Sequence, residues 1–266
     1  MNILITGMNG FIGRELTAFF TKTEHNVFAT CRKTLDVSNE KMVDGFFKEN
    51  DIDIVLHTAI KGGKRTKKDT YFDLVENLGM FKNLYKHKEQ YKLMISFGSG
   101  AEADPAGYYG LAKSIIASEI EKHNGNIVNL RIFGCFGPTE ESARFIKGSI
   151  NRVFADKPIT IHQNKRMDYF YIDDLKKVVS YYIEMCDNPI PKTIDMCYDN
   201  EMSLLDIARK IKDLTESSVD IIIENDIGAP SYIGVPFELA SLNLNLSGID
   251  LGIQETINTL RTTNSG

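Results

Sequence analysis

Short apolar runs of strand length alternate along this chain with apolar stripes at helical spacing. The runs predict strands at 3–5, 26–30, 35–37, 54–57, 93–95, 159–161, 193–197 and 219–223. The stripes predict helices at 11–20, 42–47, 70–87, 109–123, 143–155, 172–186, 203–214 and 254–260. Buried strands that alternate with helices are typical of a doubly wound parallel sheet, so we expect an α/β fold.

A glycine-rich turn joins the first predicted strand to the first predicted helix. Gly7, Gly10 and Gly13 stand at intervals of three. In this context the first glycine permits a tight turn, the second lets backbone approach a pyrophosphate, and the third lets the helix pack against the strand. The helix N-terminus then offers N–H groups to the phosphates. We therefore predict a Rossmann-type dinucleotide-binding domain; the alternative is a glycine turn without a ligand.

The end of the second predicted strand indicates which dinucleotide is bound. An acidic side chain there accepts a hydrogen bond from the ribose 2′-hydroxyl, whereas a basic one suits a 2′-phosphate. Arg32 and Lys33 follow this strand, and the first carboxylate is Asp36. We predict NADP(H), with Asp36 and Val37 near the adenine. The alternative is that Arg32 and Lys33 are solvated loop charges.

Composition limits the classes of partner. The 266 residues carry a formal net charge of −5, which gives no electrostatic reason to expect nucleic acid or an acidic membrane surface. No apolar run approaches the length of a membrane span, and the N-terminal strand lacks a charged leader. The four cysteines show no C-x-x-C pairing, so we expect no metal site and no disulfide framework. Dispersed thiols fit a cytoplasmic location.

Further candidates follow the predicted strand at 54–57. His57, Thr58 and Ala59 lie at its carboxyl end, where open α/β sheets bind ligands. His57 is a candidate cofactor contact, although a lone histidine at a strand end is more often structural. Five of the eight residues at 61–68 are basic. A solvated loop is the default interpretation, while its position makes Lys61 a candidate for binding a substrate diphosphate.

A tyrosine and a lysine share one face of the helix predicted at 109–123. Tyr109 and Lys113 are spaced i, i+4, and Ser99 follows the strand before them. A lysine ammonium lowers the pKa of a neighbouring tyrosine from about 10, and a serine hydroxyl can hold a substrate oxygen. Beside a nicotinamide, this trio reduces a ketone or oxidises an alcohol. Ser96 is a weaker candidate for the serine.

These motifs together resemble the extended short-chain dehydrogenases/reductases, the NAD-dependent epimerase/dehydratase family of nucleotide-sugar enzymes. The segments 130–138 and 169–175 also resemble that branch, at its entry into the substrate domain and at a later helix start. Arg32, the Leu-Asp pair at 35–36 and the segment 59–63 are most similar to GDP-L-fucose synthase-like reductases. Such enzymes use NADPH to reduce the C4 ketone of a 4-keto-6-deoxy nucleotide sugar.

The resemblance implies a role for each candidate residue. Tyr109 is the proton donor, Lys113 binds the nicotinamide ribose and tunes Tyr109, and Ser99 orients the substrate carbonyl. The implied cofactor contacts are Gly7, Asn9, Gly10, Phe11, Ile12, Arg32, Lys33, Asp36, Val37, His57, Thr58, Ala59, Tyr109, Lys113 and Phe133. Candidates for substrate binding are Lys61, Gly100, Arg144, Lys147 and Arg166, of which the last three are individually typical surface charges. A homodimer through the helices at 70–87 and 108–123 is also implied.

The chain departs from its relatives at positions that decide the reaction. Fucose synthases epimerise with a cysteine just after the serine and a histidine after the Gly-Pro pair, but 100–102 and 139–144 contain neither. Dehydratases carry Thr-Asp-Glu where this chain reads Ser99-Gly-Ala-Glu102. Met167 stands where many relatives have arginine, with Arg166 one position earlier. A 4-reductase without epimerisation or dehydration is therefore favoured.

We predict an NADP-binding domain over 1–137 and a small α/β substrate-binding domain over 138–266, with 168–197 returning to the first domain. The predicted activity is NADPH-dependent reduction of the C4 ketone of a nucleotide-activated deoxysugar, GDP-linked in preference, on a pathway to surface polysaccharide. One alternative is a nucleotide-sugar 4-epimerase with tightly bound NAD, against which Arg32 and Lys33 count. The other is a non-catalytic NADP-sensing module, a class that usually loses the tyrosine–lysine pair.

Overall fold

The computed structural model describes residues 1–63, 67–122 and 126–264. The strands are β1 (Asn2–Thr6), β2 (Asn26–Thr30), β3 (Ile54–His57), β4 (Leu93–Ser99), β5 (Ile127–Ile132), β6 (Cys135–Phe136), β7 (Ile159–Gln163), β8 (Phe170–Tyr171), β9 (Thr193–Met196) and β10 (Ile221–Asn225). The helices are α1 (Phe11–Phe20), α2 (Glu40–Glu49), α3 (Tyr71–Tyr85), α4 (Tyr108–Lys122), α5 (Phe145–Phe154), α6 (Ile172–Glu184), α7 (Leu204–Thr215), α8 (Phe237–Ser241) and α9 (Gly248–Asn264).

The described chain divides into two compact units. Unit 1 comprises Met1–Arg131 and Val178–Ile194, and unit 2 comprises Ile132–Lys177 and Asp195–Gly266. The sequence places the boundary at 137/138 and the return over 168–197. Those boundaries, as functional domains for cofactor and substrate, stay a prediction.

A six-stranded sheet forms the centre of the fold, in the order β2-β1-β3-β4-β5-β9. β1 pairs in parallel with both β2 and β3, and β3 pairs in parallel with β4. Leu4, Val55 and Met94 are fully buried in one cluster with apolar side chains of α2, α3 and α4. Such continuous apolar strands are typical of a parallel sheet covered on its faces. The predicted Rossmann-type α/β fold is confirmed.

Unit 2 contains two small parallel sheets and several helices. β7 pairs with β10, and β6 pairs with β8. Ser203 and Asp206 form a capping box at the start of α7, as the sequence predicts. Asp174 is fully buried and accepts hydrogen bonds from the Ser247 and Gly248 N–H groups, which ties the start of α9 to α6.

The strand predicted at 35–37 is wrong. Leu35 and Val37 are buried, as their alternation indicates, but the segment lies outside any strand. A turn follows β2, and Thr34 Oγ1 donates to the Cys31 carbonyl at 3.1 Å. Asp36 then accepts from Ser38 N at 3.0 Å and from Ser38 Oγ at 2.6 Å. These local side-chain bonds bend the backbone away from the sheet.

Several predicted bounds move by a few residues. The predicted helix at 254–260 is longer in the structure and begins at Gly248, while the one at 143–155 begins after the N-cap Arg144. The predicted end of the helix at 109–123 falls on His123, which lies outside the described residues. Among the described helices, none combines the length and apolar character needed to cross a bilayer. Within the same residues, no three His, Cys, Asp or Glu side chains are grouped to hold a metal ion.

Candidate active site

The glycine turn after β1 leaves no room for a side chain at Gly7 or Gly13. Gly7 has φ +73°, and a Cβ there would stand 2.7 Å from Ala59 N and Cα. Gly10 N donates to Gly7 O at 2.9 Å, and Gly13 packs against the same carbonyl. Because Gly10 is the N-cap of α1, no N-cap side chain competes for the N–H groups of the first turn. This cradle fits the pyrophosphate of a dinucleotide.

Thr6, the last residue of β1, holds the end of β3. Its Oγ1 lies 3.0 Å from His57 Nδ1 and accepts from Ala59 N at 3.2 Å, while Thr58 Oγ1 donates to Thr6 O at 2.6 Å. Burial, with a smaller effect of the Lys113 charge, lowers the pKa of His57 to about 3. A neutral, hydrogen-bonded His57 is a structural support for the Thr58–Ala59 backbone beside Gly7.

The two basic residues predicted to bind a 2′-phosphate lie in the exposed turn after β2. Arg32 forms an ion pair with Glu76 on α3, and Lys61 Nζ lies 3.6 Å from the other Glu76 oxygen. Partial burial raises the pKa of Asp36, but the Ser38 hydrogen bonds outweigh it and leave that pKa below its usual value. The carboxylates of Asp36 and Glu76 and the cations of Arg32 and Lys61 therefore lie together at this end of unit 1. Glu76 is a neighbour that the sequence analysis misses.

Lys113 is anchored on the strand that carries Ser99. Its ammonium donates a hydrogen bond to the Phe97 carbonyl of β4 and lies 6.0 Å from the centre of the Tyr109 ring. Burial lowers the pKa of Lys113 to about 8, against the opposing effect of the Glu102 carboxylate. Ser99 ends β4, and its Oγ accepts from Ala101 N at 3.2 Å. The predicted catalytic residues thus lie on two adjoining elements, β4 and α4.

The backbone after β3 covers one side of Tyr109. A Cβ on Gly63 would stand 2.9 Å from Tyr109 Cε2. Asn77 of α3 holds this loop by accepting from Lys61 N at 2.8 Å and donating to Lys61 O at 2.9 Å. Gly63 N donates to Asp69 Oδ1 at 2.8 Å. Residues 64–66 of the predicted basic loop lie outside the described residues.

The remaining candidates lie on other segments. Gly100 begins the 3₁₀ turn Gly100–Glu102 after β4 in unit 1. In unit 2, Lys147 Nζ donates to Glu140 O at 2.8 Å, and exposed Arg166 pairs with Glu201 at 2.8 Å. Arg144 is the exposed N-cap of α5. Within that unit the Phe133 ring meets Tyr232 edge-on at 5.3 Å. The roles of these residues stay predictions.

Asn77 and Glu102 are supporting residues that the sequence analysis does not assign. Glu102 accepts from Ser99 N at 2.7 Å and is buried. Its signal was available, because Ser99-x-x-Glu102 matches a capping box. No sequence pattern around Asn77 predicts its hydrogen bonds to the backbone of Lys61.

Comparison with known proteins identifies the family. The model of the NAD dependent epimerase/dehydratase family matches residues 3–197. A dTDP-D-glucose 4,6-dehydratase of Dictyostelium discoideum is 24% identical over 267 residues, covering 79% of this chain. The chain spans 61% of that relative's length.

Solved structures share the fold at low identity. The GDP-mannoheptose C4 reductase of Campylobacter jejuni, solved with NADP bound, has a TM-score of 0.84 at 18% identity and covers 98% of each chain. The UDP-glucose 4-epimerase of Thermotoga maritima, solved with UDP-glucose, also has a TM-score of 0.84, at 17% identity, covering 99% of this chain and 100% of the other. The family model matches most of the chain. The chain therefore belongs to the NAD dependent epimerase/dehydratase family.

Proposed function

We propose that this protein is an NADPH-dependent reductase of the C4 ketone of a nucleotide-activated 4-keto-6-deoxy sugar, GDP-linked in preference. The observation that carries the proposal is the buried Lys113, bound to the Phe97 carbonyl and 6.0 Å from the Tyr109 ring. The overlay on a GDP-mannoheptose C4 reductase supports the choice of substrate class. We place the reaction in the cytoplasm, on a pathway to surface polysaccharide, as the resemblance implies.

The chemistry divides between cofactor and protein. Bound NADPH supplies the hydride that the carbonyl carbon receives. Tyr109 donates its phenolic proton to the C4 oxygen, so that ketone, hydride and proton give the alcohol. Ser99 donates a hydrogen bond to the same oxygen and fixes its direction. The Lys113 ammonium stabilises the phenolate that remains on Tyr109.

The choice of NADPH rests on the turn after β2. Arg32 and Lys33 offer two cations to a 2′-phosphate, and both are exposed. Glu76, paired with Arg32, is a competitor for that guanidinium. To bind Arg32, a 2′-phosphate dianion must displace the Glu76 carboxylate. We infer that it does, because the dianion carries the larger negative charge.

The absence of epimerisation is inferred from the residues beside Ser99 and after Pro138. Segments 100–102 and 139–144 contain neither cysteine nor histidine. Glu102, the carboxylate in the segment that replaces the Thr-Asp-Glu of dehydratases, accepts three hydrogen bonds, from Ser99, Asn129 and Arg131. A carboxylate held in this way is engaged by one backbone N–H and two side chains of the protein itself. It does not fit the role of an acid for a leaving hydroxyl.

A nucleotide-sugar 4-epimerase with tightly bound NAD is the second candidate. The specific observation in its favour is the ion pair between Arg32 and Glu76, which places a carboxylate beside the predicted 2′-phosphate site. The overlay on a UDP-glucose 4-epimerase is as close as that on the C4 reductase.

The deciding experiment measures NADPH absorbance with 4-keto-6-deoxy sugars carried on GDP, CDP and dTDP, with NADH in parallel. Oxidation of NADPH by the GDP-linked sugar is the expected result. If only a CDP- or dTDP-linked sugar oxidises NADPH, the proposed reaction class stands and the proposed nucleotide base is wrong. No oxidation across the panel, with NAD released from the denatured protein, rejects the reductase in favour of the epimerase.

We also propose that the protein is a homodimer. Large apolar side chains on α3 and α4 are exposed, and the Tyr71 and Tyr108 rings join the two helices at 6.2 Å. This set, which we call the α3/α4 face, comprises Tyr71, Phe72, Val75, Tyr108, Leu111 and Ile115. Exposed large apolar side chains grouped in this way mark an interaction surface.

A further inference from the structure

Glu102 is a buried carboxylate that holds the end of the strand carrying Ser99. Its side chain is 3% exposed, at the end of the 3₁₀ turn that follows β4. Oε1 accepts from Ser99 N at 2.7 Å. Oε2 accepts from Asn129 Nδ2 and Arg131 Nε, each at 3.0 Å. The carboxylate thereby joins β4 to β5.

The packing around this carboxylate leaves it little freedom. A Cβ on Gly98 would collide with both Glu102 Oε1 and Asn129 Oδ1. On the other side, Ser99 Oγ accepts from Ala101 N within the same turn. The backbone on each side of Ser99 and the rotamer of its hydroxyl are therefore set by one short segment, Gly98–Glu102.

The same segment reaches Lys113. The ammonium donates to Phe97 O, two residues before Ser99. The titratable groups that face it are Tyr109 on its own helix, His57 on β3 and Glu102 on the 3₁₀ turn. His57 is neutral, because its pKa is about 3. Glu102 is thus the negative charge among these neighbours, and it raises a lysine pKa that burial lowers to about 8.

We propose that Glu102 is a positioning residue of the active site, which fixes the Ser99 hydroxyl toward the substrate oxygen and places a negative charge near Lys113. The inference rests on the proposed reductase function, because Ser99 and Lys113 act in that reaction. A residue that merely stabilises the fold would alter stability and leave the chemistry of the folded enzyme unchanged.

Two substitutions separate reach from charge. Glu102→Asp keeps the charge but is one methylene too short to span the present bond to Ser99 N. Glu102→Gln keeps the reach and removes the charge. We expect Glu102→Asp to lower kcat by about tenfold to a hundredfold, because small displacements of positioning groups have effects of that size, with KM changed by less than about threefold.

A double-mutant cycle tests whether Glu102 acts through Ser99. Ser99→Ala removes the hydroxyl and keeps the backbone N–H. We expect Ser99→Ala/Glu102→Asp to have a kcat within about twofold of Ser99→Ala alone, since the two changes remove one shared function. The opposite result is that the kcat losses of Ser99→Ala and Glu102→Asp multiply in the double variant, while the midpoint of thermal unfolding falls in proportion to the loss of activity. That result would assign Glu102 a structural role and overturn the proposal.

The charge effect is read without any substrate, from the NMR titration of the ¹³C-labelled Lys113 ε-carbon in the full-length protein. Glu102→Gln is expected to lower the Lys113 pKa, and Glu102→Asp to leave it nearly unchanged. Arg131→Gln should raise it, because this partly exposed cation offsets the carboxylate. These opposite directions cannot come from general destabilisation, and Arg131→Gln serves if the Glu102 variants fail to fold.

The outcomes distinguish the inference from the proposed function. A wild-type enzyme that reduces no sugar of the panel rejects the reductase, while the Lys113 titration still tests Glu102. Alternatively, the wild-type enzyme reduces a sugar of the panel, the kcat losses in the double-mutant cycle multiply, and the Lys113 pKa does not change in the Glu102 variants. This combination supports the reductase and rejects the role of Glu102.

Discussion

The backbone of Gly63 lies against the ring of Tyr109, so closely that a methyl group on Gly63 would stand 2.9 Å from Cε2. Gly63 also has φ +70°, a conformation that costs an alanine about 1–2 kcal/mol. Gly63→Ala should therefore move either the loop or the ring and lower kcat/KM at least about tenfold.

The control for Gly63→Ala is Gly45→Ala on α2, where a Cβ meets nothing within 4 Å. This change should leave NADPH oxidation unaltered and favour the helix slightly. Equal kinetics for the two variants would show that the contact with Tyr109 is dispensable.

Replacing Tyr109 by phenylalanine removes the proposed proton donor. NADPH oxidation should fall by about 10²–10⁴-fold, the usual contribution of a positioned acid, while NADPH binding, followed by fluorescence, should persist. Tyr108→Phe is the matched control, because Tyr108 is exposed and Ala112 follows it by one helical turn. Turnover by the Tyr109 variant at the wild-type rate would refute the mechanism.

Glu76→Gln should strengthen the preference for NADPH over NADH. Removal of the carboxylate frees Arg32 for a 2′-phosphate, and a partly exposed pair of this kind amounts to about 1 kcal/mol, or roughly fivefold in Kd. The gain should fade at high salt. Glu49→Gln, an exposed change on α2, is the control. A ratio of Kd values unchanged by Glu76→Gln would contradict a role for Glu76 near the phosphate.

The pH profile of kcat/KM should decline on its basic side near the Lys113 pKa of about 8. Burial lowers that pKa from 10.5, so the ammonium loses its proton within reach of physiological pH. The neutral amine no longer stabilises the Tyr109 phenolate, and the reduction slows as the pH rises through this value. Initial rates of NADPH oxidation from about pH 6 to pH 10 measure it. A rate that stays level across this interval would argue against a charged Lys113 in the reaction.

The same depressed pKa makes a prediction about stability. Between about 8 and 10.5 the unfolded chain binds the Lys113 proton and the folded chain does not. The contribution of Lys113 to the free energy of unfolding therefore rises with pH over that interval. Lys113→Met should flatten this part of the urea-denaturation profile, whereas Lys122→Met, at the exposed end of α4, should not.

Phe72→Asp should dissociate the proposed dimer. Phe72 is 78% exposed in the α3/α4 face, and a carboxylate there would be desolvated against a second copy. Phe237→Asp is a matched control, because Phe237 is 72% exposed and belongs to α8 rather than to α3 or α4. Sedimentation velocity of both variants gives the masses. Two variants that sediment as the wild type does would place any dimer interface elsewhere.

Local patterns carry much of what could be predicted. The glycine spacing after a strand predicts the cradle at Gly7, and the i, i+4 rule puts Tyr109 and Lys113 on one helix face. By contrast, Leu35 and Val37 alternate as a strand does and are buried as predicted, yet hydrogen bonds from Ser38 to Asp36 decide the backbone. The alternation of apolar residues correctly predicts that Leu35 and Val37 are buried. It does not show that their backbone pairs with a neighbouring strand.

Partners brought together from distant segments lie beyond such reasoning. Arg32 meets Glu76, and Asn77 meets the backbone of Lys61, only because β2, α3 and the loop after β3 adjoin in the folded sheet. A single sequence carries no signal for either pair. Glu102 is intermediate, since its capping bond to Ser99 is local while those to Asn129 and Arg131 are not.

Asn77 uses both ends of its amide on the backbone of Lys61, so two hydrogen bonds tie α3 to the loop that touches Tyr109. The opposite side of α3 carries Phe72 and Val75, in the α3/α4 face. In the proposed homodimer, association at that face would act on the wall of the active site through Asn77, in addition to any effect through α4 itself. Enzyme concentration then becomes a kinetic variable: activity per subunit should change as the protein is diluted through the dissociation constant of the proposed dimer, and Asn77→Ala should weaken that dependence.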